Sequence, residues 1–350
     1  MLSVRFIFIL GLIALLAVGC DSTDAPAEPV TVRLMTHNSF DMSSELLEQF
    51  EEEAGFEVEV FKAGDGGEAL TRAILSRDAP LADVFFGVDN TFLSRALEND
   101  IFITYDSPVL AEIPDELKLD PSNRALPVDY GDVCLNYDTM WFSQRGLDPP
   151  ASLADLADPA YADLTIVQNP ATSTPGLAFL LATIETFGED GYLDYWRSLV
   201  DNGVVVTDGW EQAYYTYFSA ASDGELPVVV SYASSPAAEV YFAEQPPVEA
   251  PTASVTTPGS CFRQIEFVGI LEGTQHEAEA QRLVDFMLSP EFQNDIPLRM
   301  FVYPANRQAQ LPEVFVLHAD SAVEPVQMDP DRIGESRERW IQAWTEVVLR

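Results

Sequence analysis

Val30 to Met35 is rich in β-branched and apolar residues, which predicts a strand. Ser44 to Glu53 gathers Leu46, Leu47 and Phe50 on one face and predicts an amphipathic helix. Phe56 to Phe61 alternates apolar with polar residues, as a strand with one buried face does. Glu68 to Ser76 then predicts a short helix and Ala82 to Phe86 a third strand. Strand, helix, strand, helix, strand is the order of a parallel sheet covered by helices, so the fold class is α/β. Ligands of such sheets settle at the carboxyl ends of the strands. Those ends carry Thr36-His37-Asn38-Ser39, Gly64-Asp65-Gly66-Gly67 and Gly87-Val88-Asp89-Asn90, all polar or small enough to form a binding edge.

A second set of elements opens at Leu126-Pro127-Val128-Asp129-Tyr130. Val204 to Thr207 leads into Asp208-Gly209-Trp210, and Val228 to Ser231 into Tyr232-Ala233-Ser234-Ser235-Pro236. Each is an apolar strand that delivers polar or aromatic residues at its carboxyl end. Gln264 to Leu271 predicts a strand returning to the first set, followed by an amphipathic helix over Glu277 to Leu288. Two α/β lobes joined by two or more crossovers imply a cleft between them. The expected boundaries are residues 30–127 with 265–308 for one lobe, and 128–264 with 309–350 for the other.

Between the strand Thr165-Ile166-Val167 and the helical run Leu177 to Thr183 stands Thr172-Ser173-Thr174-Pro175-Gly176. Ser and Thr suit the cap of a helix and Pro its first turn. The same uncapped N–H groups and helix dipole also suit an anion such as phosphate or carboxylate. The residues alone leave both readings open.

The N-terminus points to export. Arg5 precedes an apolar run, Phe6 to Val18, of signal-peptide length and short for a membrane span. It ends in Leu16-Ala17-Val18-Gly19-Cys20, which resembles a bacterial lipoprotein signal whose cysteine becomes the lipidated first residue. The expectation is a signal peptide over 1–19, lipidation at Cys20 and a flexible tether over 20–29. The mature protein then works on the periplasmic or extracellular face, held to the membrane only by its lipid. Ala17 departs from the usual Leu, and a plain cleaved signal with an incidental Cys is the alternative.

Fifty-seven acidic residues against 18 basic ones give a net charge of −39, which excludes a nucleic-acid backbone as partner. The acids are dispersed, as on a solvated surface adapted to salt, although they also favour cationic ligands. The 47% hydrophobic content supports real cores. Beyond Cys20 the cysteines are Cys134 and Cys261, an even pair in strand-like stretches of an exported chain, where a disulfide persists. A catalytic thiol at Cys134 is the competing reading.

Several stretches taken in order resemble one family: Thr172 to Gly176, Gly209-Trp210-Glu211-Gln212-Ala213-Tyr214, Ser231 to Pro236, and Ser289-Pro290-Glu291-Phe292-Gln293-Asn294-Asp295-Ile296-Pro297. Val128-Asp129-Tyr130-Gly131 and Gly87 to Asn90 add to the match. The chain resembles the periplasmic thiamine-binding proteins of bacterial ABC importers, within a wider class that carries iron, polyamines and aminophosphonates. The resemblance implies a two-lobed periplasmic-binding-protein fold of type II. It implies a monomer that binds thiamine or thiamine phosphates and meets an ABC permease with its ATPase, with no cofactor, metal or catalysis of its own.

Carried over by residue, it puts Ser173, with Thr174 and Gly176, at a phosphate end. Trp210, Tyr232 and Ser235 would line the site, with Asp65 and Asp89 as acids there. His37 stands where the family has a tyrosine, Phe301 where it has a tryptophan, and Ala238 where it has another tyrosine, a loss that Tyr241 would offset by turning in. Aromatic faces suit the permanently cationic thiazolium, by about 0.5–2 kcal/mol each. Core packing is the competing role for Trp210 and Tyr232. A thiaminase-like enzyme using Cys134, a ferric carrier using Tyr214-Tyr215, and a polyamine carrier using Asp65, Asp89, Asp129 and Trp210 are the rival functions. Adjacent helical residues point about 100° apart, so one of the two tyrosines is expected in the core.

Overall fold

The computed structural model describes residues 30–245 and 247–350. The expected signal peptide, Cys20 and the tether lie outside the described residues. The strands are β1 (Thr31–Thr36), β2 (Glu57–Lys62), β3 (Val84–Asp89), β4 (Leu126–Asp138) and β5 (Thr165–Gln168). They continue with β6 (Val205–Thr207), β7 (Val228–Tyr232), β8 (Thr252–Val255), β9 (Phe262–Ile270) and β10 (Tyr303–Pro304). Their order is β2-β1-β3-β9-β4-β7-β5-β6, with β8 and β10 also on β4.

β2, β1 and β3 pair in parallel, as the strand–helix alternation predicts. β6, β5 and β7 repeat that arrangement in the second lobe. β4 and β9 join the two. β9 pairs with β3 on one side, while the far end of β4 pairs with β7. Between them β4 and β9 run antiparallel from Leu126 opposite Val268 to Val133 opposite Phe262. The crossovers are therefore hydrogen-bonded to each other, and both lobes share one continuous sheet. β4 runs unbroken over 13 residues, because Asp129 to Asp132 is paired on this shared seam and does not form a loop.

Period-two burial sets the layers. Val32 and Leu34 of β1 face a core with Phe56, Val58, Leu283 and Met287, the last two from the helix Glu277–Leu288. Met35 faces the opposite core with Leu70, Ala73 and Phe85. That second core runs on into the helix Thr174–Phe187, in which every residue from Thr174 to Ile184 is buried. A helix apolar all round belongs in a protein interior. Its start is thus held rigidly against the sheet edge.

The helix Pro330–Val348 is not among the expected elements. Ile333, Arg337, Trp340 and Trp344 recur at helical spacing and bury one face. Trp344 meets Trp196 of the second lobe edge-on at 5.5 Å, while Arg337 reaches the Thr91 carbonyl at 3.4 Å and Ser94 Oγ at 3.3 Å in the first. The helix thus straps both lobes together. Cys134 of β4 and Cys261, the residue just before β9, form a disulfide beside the crossover seam. Among the described residues, no helix is long and apolar enough to cross a membrane.

Candidate functional site

A cavity of about 290 Å³ opens between the lobes where the strand ends meet. Its first-lobe wall comes from the turn after β1, the end of β2 and the start of the helix Gly66–Leu75. Its second-lobe wall comes from Thr174, Pro175, Trp210, Tyr214, Tyr215, Tyr232 and Ser235. Glu266 of β9 lies on the floor, and Phe301 and Val302 close one end.

Asp65 bridges the lobes. Its side chain caps the Gly66–Leu75 helix by accepting from the Gly66 N–H at 2.8 Å. Across the cleft it accepts from the Thr174 N–H at 3.2 Å and the Trp210 N–H at 3.1 Å. Burial between the lobes raises its pKa, while those three donors and the Ser173 hydroxyl oppose the rise by stabilising the charge. The approach is close. A Cβ on Gly67 would lie 2.9 Å from the Thr172 carbonyl oxygen and 3.1 Å from the Phe92 ring, so the joined lobes leave room for glycine only.

The aromatic wall is held from behind. Trp210 donates its indole N–H to Ser231 Oγ at 2.9 Å and stacks on Tyr214, centroids 4.9 Å apart. Ser231 and Ser235 share a hydrogen bond of 2.8 Å. Tyr232 donates to Gln264 Oε1 at 2.6 Å and meets Trp210 edge-on at 6.3 Å. Phe301 adopts a left-handed backbone, φ 55°, a strained state for a bulky residue of the kind that collects at functional sites.

The floor is acidic. Glu266 stands directly opposite Asp129 in the β4–β9 register, and the two carboxyl groups are within hydrogen-bonding reach. Burial pushes Asp129 up to about 8, and burial with the neighbouring Asp129 and Asp89 pushes Glu266 well above the usual carboxylate range. His37 Nε2 approaches Glu266 Oε1 at 3.4 Å. Burial and the nearby Lys62 lower His37 to about 4, so the imidazole is neutral at pH 7 and the contact is not an ion pair. The His37 ring fills the space beside Gly87, φ 107°, where a Cβ would lie 2.5 Å from it.

Of the residues expected at the site, the structure brings His37, Asp65, Thr174, Trp210, Tyr232, Ser235 and Phe301 to the cavity wall. Ser173, Gly176 and Asp89 are not on it. Ser173 is fully buried, accepts from the Gly176 N–H at 3.5 Å and turns its hydroxyl to Asp65. Gly176 packs against the Gln168 carbonyl one layer deeper, where a Cβ would lie 2.6 Å from that oxygen. The anion cradle exists, and the chain's own Asp65 fills it. Asp89 lies beneath the floor, taking Thr91 Oγ1 at 2.6 Å and Gln264 Nε2 at 2.7 Å. Burial raises it to about 6.

Beside Ala238 it is Phe242, not Tyr241, that lines the cavity; both rings pack on Phe301, at 5.4 and 5.8 Å. Tyr214 is buried and donates to Glu239 at 2.8 Å, while Tyr215 is exposed at the mouth, as helical spacing requires. Among the described residues, no group of three or more His, Cys, Asp or Glu side chains is placed to hold a metal ion. Glu266, Lys62 and Arg299 are lining residues absent from the expected set. For Glu266 a signal existed: an acid between Ile265 and Phe267 inside an apolar strand.

Two α/β lobes on paired crossover strands, with an enclosed polar and aromatic cleft, define a binding protein of the type II periplasmic class. Solved structures share this fold. A periplasmic thiamin binding protein superposes with a TM-score of 0.82 at 27% identity, covering 93% of this chain and 98% of that one. Iron-bound HitA from Pseudomonas aeruginosa gives 0.74 at 20% identity over 91% and 99%. The chain belongs to the family of bacterial extracellular solute-binding proteins, whose profile matches residues 79–319. A thiamine-binding periplasmic protein of Salmonella typhimurium strain LT2 is 30% identical over 302 residues, 86% of this chain and 87% of that one.

Proposed function

We propose that this chain captures thiamine or a thiamine phosphate in its interlobe cleft as a monomer and delivers it to an ABC permease and its ATPase. It works on the periplasmic or extracellular face, anchored through a lipid on Cys20. The observation that carries the reading is the cavity itself. A stacked aromatic wall, Trp210 on Tyr214 with Tyr232 edge-on, stands over a floor containing Glu266. A flat, permanently cationic ring fits between them, since aromatic faces and carboxylates both attract such a charge. The names of the relatives point the same way.

In this reading Trp210, Tyr232 and Phe301 hold the rings, while Ser235, Thr174 and His37 supply polar contacts. Asp65 closes the lobes. Ser173 and Gly176 shape the helix start from behind the wall, and Asp89 fixes Gln264 beneath Tyr232. The protein is a carrier and performs no reaction on its ligand. The sulfur of Cys134 is bonded to Cys261, which leaves no nucleophile there. Thermal unfolding with thiamine, thiamine monophosphate, spermidine and 2-aminoethylphosphonate tests the assignment. A ligand that binds only the folded state raises stability by RT ln(1 + [L]/Kd), about 2.7 kcal/mol at a hundredfold excess over Kd. A clear upward shift with the thiamine compounds is expected. No shift with either, beside a clear one with spermidine or the phosphonate, overturns the ligand.

A further inference from the structure

Four acids line the cavity: Asp41, Asp65, Glu211 and Glu266. Asp41 faces Arg299 at 3.5 Å, Asp65 is occupied by three backbone N–H groups, and Glu211 is exposed to solvent. Glu266 differs from all three. It is buried, it faces the cavity, and among the described residues its only approach to a basic group is the neutral His37. Behind it Asp129 is fully buried, and among the described residues its carboxyl oxygens have no hydrogen-bond partner apart from the facing Glu266 carboxyl.

We infer, resting on the cationic-ligand reading above, that Glu266 backed by Asp129 is the charge-selecting element of the cleft. The pair keeps a proton in the unliganded protein and releases it when the ligand's fixed positive charge reaches the floor. Glu266 makes the contact, and Asp129 is a positioning residue that shares the proton.

Two carboxyls face each other across an antiparallel pair, Asp129 fully buried and Glu266 meeting only the cavity, so they cannot both ionise. An unpaired buried charge is costly enough that such a group holds its proton instead. The remaining neighbours do not relieve this. Asp89 reaches the pair from β3 and Asp65 from the helix start, both adding negative charge. Tyr232 from β7 contributes an O–H already given to Gln264. His37 faces it from the turn after β1 and is kept neutral, partly by Lys62 at the end of β2.

A bound cation supplies the missing positive charge and displaces the proton to solvent. The net charge of the floor is then unchanged by binding. Uncharged ligands of the same shape gain nothing there, which makes fixed charge the property that is read. Affinity for a cation must accordingly rise with pH across the range in which the pair titrates, by up to about tenfold per pH unit for each proton released.

Calorimetric titration tests this with the full mature protein and two probes. One is thiamine; the other is an analogue carrying a neutral thiophene in place of the thiazolium. At pH 7 the thiamine heat is expected to depend on the ionisation enthalpy of the buffer, with a slope approaching about one proton released. The neutral analogue should show a slope near zero. Glu266→Gln should abolish the release and weaken thiamine at least roughly tenfold while leaving the analogue almost unmoved. Asp129→Asn should flatten the pH profile yet retain a preference for thiamine. The unfolding temperature of each variant establishes that it is folded.

Thiamine heats independent of buffer, or a Glu266→Gln variant that weakens both probes alike, overturn the inference and leave the thiamine assignment standing. If wild-type protein binds neither probe, the assignment itself falls and the inference with it.

Discussion

The Asp65 carboxylate of the first lobe accepts the Thr174 N–H at 3.2 Å and the Trp210 N–H at 3.1 Å, both in the second lobe. It occupies the helix start that would otherwise receive a phosphate, and it closes the cleft in doing so. Asp65→Ala should therefore have unequal consequences for two ligands. Thiamine should bind roughly tenfold more weakly or worse, since charge-assisted hydrogen bonds contribute about 1.5–3 kcal/mol. Thiamine monophosphate should lose less, because its phosphate inherits the freed N–H groups. Titrating the variant with both compounds checks this, and an equal loss would sink it.

Gly67 faces the Thr172 carbonyl at a distance that leaves no space for a side chain while the lobes are joined. Gly67→Ala should shift the protein toward an open cleft. The expected outcome is a thiamine affinity reduced at least roughly tenfold, the equivalent of about 1.4 kcal/mol. Small-angle scattering with excess thiamine should report a larger radius of gyration than wild type. An unchanged affinity and a fully closed profile would contradict the packing argument.

Ser173 caps a helix and supports Asp65 from behind the wall. Ser173→Ala should cost about 0.5–2 kcal/mol of stability as a lost cap. It should weaken thiamine and thiamine monophosphate to the same degree. Denaturant unfolding and paired titrations measure both quantities. A selective loss of the phosphate ester would restore the hydroxyl to the ligand.

The disulfide ties positions 127 residues apart. Closing a loop of that length in the unfolded chain is worth about 5 kcal/mol in the chain-entropy treatment. Reduction, or Cys134→Ser with Cys261→Ser, should lower the denaturant midpoint sharply while the folded double variant still binds thiamine. Loss of binding in a variant that remains folded would instead point to a role for Cys134 in the cleft.

The floor predicts a pH profile for the unliganded protein. Asp129 titrates near 8 when folded and near the ordinary value, about 4, when unfolded. Its protonated form favours the fold, so this contribution is complete below pH 4 and is lost as pH rises through about 8. His37 acts in the opposite sense. Its pKa falls to about 4, so its contribution is present above about 6.5 and is lost on acidification. Above pH 6.5 only the carboxyl pair still titrates among these groups. Stability should then fall by up to about 1.4 kcal/mol per pH unit for each proton, and Asp129→Asn should flatten the slope. Urea unfolding between pH 6 and 8.5 measures it; an equally steep Asp129→Asn profile would refute the assignment.

Much of this protein is local in origin and readable along the chain. The alternation in Phe56 to Phe61 and the spacing of Leu46, Leu47 and Phe50 report burial directly, because neighbouring residues define a strand face or a helix stripe. The polar turns after β1, β2 and β3 mark the binding edge for the same reason. The even pair of cysteines pointed to their bridge. Tertiary structure alone decided which of these groups faces the ligand. Asp65 and Ser173 sit 108 positions apart, and only the joined lobes turn the Ser173 hydroxyl toward Asp65 and away from the cavity. Glu266 reads as one residue of an apolar strand, and its partner Asp129 is 137 positions away. A charge is defined by what surrounds it in space, and the β4–β9 register that sets two carboxyls face to face is a long-range pairing that no local pattern encodes.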